Sequence, residues 1–121
     1  MEFKYDNEKK ILVITIIDEI DHHVTKEMRR RADYEIQRYM PKKVIFNLSK
    51  VGFMDSSGIG LIIGRYKMTS IYGGSLEIES ANERVKKILE MSGILKIIPL
   101  IKEDELNEKC LWKWNEIRIF K

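Results

Sequence analysis

The chain has a single cysteine, Cys110, so no intramolecular disulfide is possible and a disulfide-stapled fold is excluded. Its only histidines, His22 and His23, are adjacent, and no Cys/His set with zinc spacing exists. Both facts fit a reducing compartment. Long apolar runs are also missing: none approaches the roughly 18 residues of a membrane span, and the opening MEFKYDNEKK is too polar for a signal-peptide core. The expectation is a soluble, cytoplasmic protein with no membrane partner. Charge of one sign is scarce in excess, because 22 basic residues stand against 19 acidic ones and the signs are interspersed. Nucleic acid is therefore not implied, and the sharpest cluster, Arg29-Arg30-Arg31, lies inside a helical pattern and reads as a solvated face. With two prolines and seven glycines there is no linker, no repeat and no low-complexity tract.

What remains is an ordinary globular composition in 121 residues, enough for one core and small for two, so a single domain over 1–121 is expected. Phe3 and Tyr5 alternate with polar residues, and Asp6-Asn7-Glu8 supplies turn chemistry before the β-branched run from Ile11 to Ile17; this predicts an opening hairpin. Val24, Met28, Ala32, Ile36 and Met40 recur every four residues, the apolar face of a helix that ends before Pro41, with Thr25 or Asp21 as its cap. Val44 to Leu48 reads as a buried central strand. Ile59, Ile62, Ile63 and Tyr66 mark a second helix to Ser70, and Gly73-Gly74 breaks the chain before a strand carrying Leu76 and Ile78. Asn82 caps a third helix bearing Val85, Ile88, Leu89 and Met91, with Gly93 at its left-handed end. A strand is expected from Ile94 to Ile101, then a fourth helix from Glu103 to Trp112, and the tail WKWNEIRIFK fits helix or strand. The order β, β, α, β, α, β, α, β, α defines an α/β domain with a mixed sheet and about four α-helices on one face or two.

The stretch FMDSSGIGLIIGRYK, at residues 53 to 67, carries the candidate chemistry. As a helix start, Asp55 or Ser56 accepts hydrogen bonds from free backbone N–H groups, worth about 1 kcal/mol. As a hydrolase nucleophile the motif fails, since Met54 stands where the first glycine of G-x-S-x-G belongs and both histidines lie upstream. The His22-His23 pair beside Asp21 is too close in sequence for a two-ligand helical metal site and reads as a capping or partner-facing loop. As a dinucleotide loop, Gly58, Gly60 and Gly64 are one residue off the usual spacing, although Glu77 stands about 20 residues on, where a ribose ligand is wanted. No Walker loop follows, because Gly64 precedes Arg65-Tyr66. The simpler account of Gly60 and Gly64 is close approach of another backbone. Finally, a serine here is a candidate for phosphorylation, which adds close to two negative charges and acts as a switch wherever the hydroxyl lies in a contact surface.

FMDSSGIGLIIGRYK, together with Asp21-His22-His23, Gly73-Gly74 and MSGILKII at 91 to 98, resembles the anti-sigma factor antagonists of the STAS class, nearest to their sporulation branch. The resemblance is clearest over 11–98, and 102–121 is divergent. It implies a non-enzymatic switch without a cofactor. The unmodified protein would bind an anti-sigma factor that is also a serine kinase, with its ATP or ADP, and so free a sigma factor. In the family the phosphorylated residue is the serine directly after the aspartate, here Ser56, and a serine phosphatase restores it. Asp21, Asp55, Ser57, Gly58 and Ile59 are the implied partner contacts, with Ser57 a neighbour of the acceptor. The family's Gly-Glu-Leu/Ile-Asp before the first helix is here Asp18-Glu19-Ile20-Asp21. The alternatives are a general-stress STAS regulator and a small nucleotide-binding α/β domain using Gly58 and Gly60.

Overall fold

The computed structural model describes residues 1–101 together with 118–119. β1 (Glu2–Asp6) and β2 (Ile11–Thr15) form the expected antiparallel hairpin, with Tyr5 opposite Leu12. Asp6 shapes its turn, accepting through Oδ1 from the backbone N–H groups of Glu8 and Lys9 at 2.9 and 3.1 Å. β3 (Lys43–Leu48) and β4 (Ser75–Ala81) follow as parallel strands, so the sheet is mixed. Short segments β5 (Leu100–Ile101) and β6 (Arg118–Ile119) complete the order β5-β4-β3-β2-β1-β6 among the described residues. The tail, which fits helix or strand by sequence, is a strand at Arg118–Ile119.

Three α-helices lie among the described residues: α1 (Thr25–Tyr39), α2 (Ser56–Ile71) and α3 (Glu83–Ser92). The fourth expected helix, at Glu103 to Trp112, falls outside them. Strand positions Leu12, Ile14, Val44, Phe46, Leu76 and Ile78 share one buried cluster with Met28, Ala32 and Ile36 of α1, Leu61 and Ile62 of α2, and Val85 and Leu89 of α3. Because alternate strand residues point to opposite faces, all three helices cover the same face. Ile11, Val13 and Ile45 form a separate buried cluster on the other. Burial of each such aliphatic side chain stabilises the fold by about 1.5–3 kcal/mol before conformational entropy is subtracted.

Two expectations need correction here. Ile94 to Ile101 is not one strand: Gly93, at φ +80, closes α3, and Ile94–Lys96 forms a 3₁₀ turn before Leu100 joins the sheet. Ile94 and Ile98 are both buried and joined by a 2.9 Å backbone hydrogen bond, a helical spacing that β-branched composition concealed. Met40, expected on the buried face of α1, is instead exposed in the left-handed region at φ 45, because the residue before Pro41 cannot continue a helix.

Candidate functional site

The DSSG stretch follows β3 and lies at the end of the sheet where its parallel strands finish. Asp55 is the N-cap of α2: its backbone is extended and its Oδ1 accepts from the Ser57 N–H at 2.8 Å, while its carbonyl accepts from the Gly58 N–H at 3.0 Å. Ser56 is thereby the first helical residue and is spared from capping. Its side chain is exposed, whereas Asp55 and Ser57 are half-buried. Of the two expected caps, Asp55 or Ser56, the structure uses Asp55.

A second loop, from Ile16 to Val24, is fastened to the first. Ile20 forms a parallel bridge with Met54, donating its N–H to the Phe53 carbonyl at 3.0 Å, and its own carbonyl accepts from the Asp55 N–H at 3.0 Å. This puts Asp21 directly beside the start of α2. Asp21 Oδ1 accepts from the backbone N–H groups of His23 and Val24 at 2.9 and 3.3 Å, so it organises the turn entering α1 although Val24 occupies the N-cap position itself. Thr25, the other candidate cap, is buried and donates to the His22 carbonyl at 3.5 Å. His22 and His23 are exposed, their rings 4.0 Å apart, and His23 Nδ1 lies 3.6 Å from Asp21 Oδ1. Among the described residues neither ring bonds to Ser56 or Ser57, which leaves the nucleophile reading without a base.

Gly58 is buried, and a Cβ there would lie 2.5 Å from Met54 Sδ and 3.1 Å from Ile20 Cγ2. Its smallness lets α2 start against the Ile20–Met54 bridge. Ile59 is partly buried against the core, so only part of it is available to a partner. Gly60 and Gly64 do not support the close-approach account: among the described residues, a Cβ at either would meet nothing within 4 Å. The dinucleotide reading weakens as well, since the Glu77 carboxylate is engaged by Lys43 Nζ at 3.1 Å, in register with Ile45 on the sheet face that the helices do not cover. A groove of about 480 Å³ does exist near the start of α3, but Ser49, Ser80, Asn82 and Lys86 are among its lining and Ser56 is not.

Sequence reasoning missed the Ile20–Met54 bridge, because pairing between distant loops leaves no local periodicity. It also missed that Asn82, besides capping α3 through Val85 N–H at 2.8 Å, donates from Nδ2 to the Val51 carbonyl at 3.0 Å, bracing the β3–α2 loop.

A mixed sheet covered on one face by helices, with an aspartate-capped serine at the start of α2, is the architecture of a STAS domain. The chain belongs to that family, whose profile matches residues 3–106. It is 35% identical over 107 residues to the anti-sigma F factor antagonist of Paenibacillus polymyxa, spanning 88% of this chain and 91% of that protein. Among solved structures it is similar to the anti-sigma factor antagonist SpoIIAA in its unphosphorylated form, with a TM-score of 0.69 and 27% identity over 83% of this chain and 88% of that one. The phosphorylated form of the Bacillus cell fate determinant SpoIIAA matches at a TM-score of 0.63 and 26% identity, covering 84% and 91%.

Proposed function

We propose that this chain is an anti-sigma factor antagonist switched by phosphorylation of Ser56. The unphosphorylated form binds an anti-sigma factor that is also a serine kinase, and the sigma factor is released. The kinase then uses its ATP to phosphorylate Ser56, which ends the interaction, and a serine phosphatase restores it. The setting is cytoplasmic, as for any regulator of transcription in a cell without a nucleus.

The observation that carries this reading is the division of labour at the start of α2. Asp55 holds the helix end, and the exposed Ser56 hydroxyl is left for an enzyme to reach. Asp21, Asp55 and Ser57 surround it as partner contacts, with Gly58 and the accessible part of Ile59 beneath. Before modification this surface is neutral at Ser56. Afterwards it carries close to two negative charges beside Asp55. A desolvated charge with no matching cation in an interface costs several kcal/mol, enough to weaken binding by more than a hundredfold.

Incubation with the matching anti-sigma kinase and ATP, followed by mass analysis of peptides, should place one phosphate on Ser56; a phosphate elsewhere, or none, removes the mechanism. Ser56→Ala should bind the kinase and resist switching off, while Ser56→Asp should bind at least tenfold more weakly. Equal affinities of the two variants would take phosphorylation out of the account.

A further inference from the structure

Gly60 stands four residues after Ser56 on α2, hence on the same face of the helix, with side-chain positions about 5–6 Å apart. It is exposed, and a Cβ there would meet nothing within 4 Å. No positive φ requires glycine, since Gly60 lies inside the regular helix and only Gly73 and Gly93 have left-handed backbones among the described glycines. A helical glycine without a packing or backbone reason is a net cost to stability. Gly58 on the same helix has such a reason in Met54 and Ile20. Gly60 has none among the described residues.

We propose that Gly60 is a specificity-determining residue for recognition by the kinase, kept without a side chain so that the partner's surface can close over the Ser56 hydroxyl. This rests on the function proposed above and adds to it a residue that makes no polar contact. For phosphoryl transfer the serine oxygen must enter a cleft and reach the γ-phosphate in line. The ground beside it must therefore be low. On the far side, Asp55 and Ser57 are half-buried and already low. Downstream along the helix, the Ile59 side chain is drawn partly into the core, and the next position that a side chain would raise is Gly60. An alanine methyl there would stand between the two surfaces, whereas a methyl at Gly64, one further turn away, would stand clear of the acceptor.

The test compares Gly60→Ala with Gly64→Ala, because both positions are helical and open. Each should raise Tm by about 4 °C through helix propensity alone. Gly60→Ala should nevertheless lower the kcat/KM for Ser56 phosphorylation, and the affinity for the kinase, at least tenfold, while Gly64→Ala stays within twofold of the wild-type chain. Gain of stability with loss of recognition is an outcome that a purely structural glycine does not produce. Wild-type rates for Gly60→Ala, equal losses in both variants, or a lowered Tm for Gly60→Ala would each overturn the proposal. Failure of the wild-type chain to be phosphorylated at Ser56 would be recognised separately, as failure of the underlying function, and this proposal would fall with it.

Discussion

At the scale of single residues, the start of α2 separates the helix cap from the proposed phosphate acceptor, which the sequence writes as one motif. Asp55→Ala should cost about 1 kcal/mol in chemical denaturation, since the Ser57 N–H loses its 2.8 Å acceptor. Ser56→Ala should change stability by less than about 0.5 kcal/mol, because the exposed hydroxyl caps nothing. Gly58→Ala should be the severe one, about 1–3 kcal/mol, as its methyl drives into Met54 and Ile20. If Asp55→Ala were neutral and Ser56→Ala costly, the assignment of cap and acceptor would be reversed. The sequence could narrow the cap to Asp55 or Ser56 but not choose, since both residue types accept from backbone N–H groups. The choice is made by the Asp55 backbone, which the Ile20 carbonyl holds in place.

At the scale of elements, α1 and α2 are joined by an ion pair that contributes less than its distance suggests. Arg65 Nε lies 2.7 Å from Asp33 Oδ1, and the Arg65 side chain is only 7% exposed. Yet Arg65 Nε and Nη1 and Asp33 Oδ1 are buried without an aligned hydrogen bond among the described residues. Burial pushes the Asp33 carboxyl above its usual range and the Arg65 guanidinium below its own, outweighing their mutual attraction. The double variant Asp33→Leu/Arg65→Met should therefore be as stable as the wild-type chain or more so, by up to about 4 kcal/mol; a clear loss in urea denaturation would show the pair to be net stabilising. Elements with strong periodicity were legible in sequence, as Met28, Ala32 and Ile36 of α1 show. Ile94 to Ile101 was not, because β-branched residues serve a buried 3₁₀ turn as well as a strand and only the reversal at Gly93 decides between them. The close-approach account of Gly60 and Gly64 went unsupported for a related reason: spacing reveals a groove but not whether anything fills it.

At the scale of the whole molecule, the proposed switch acts at a surface and leaves the core alone. Phosphate at the first position of α2 gains about 0.3–1 kcal/mol from the helix N-terminus and loses a comparable amount to the Asp55 charge. The phosphorylated chain should consequently keep its circular dichroism spectrum and melt within about 3 °C of the unmodified one. A large drop in Tm would mean that the switch works by unfolding part of the domain. The fold class and the mixed sheet follow from the order of strands and helices, whereas the covering of one face by all three described helices depends on the parity of each strand and emerges only when the strands are paired.

The bridge between Ile20 and Met54 also governs when the site comes into being. These two residues are 34 positions apart and paired across the crossover through α1, a non-local contact of the kind that forms slowly compared with a local turn. A chain emerging from the ribosome thus carries Ser56 in its sequence well before it carries the surface around it. The proposed recognition depends on both loops and would therefore report on completed folding, so half-made copies would escape the proposed partner.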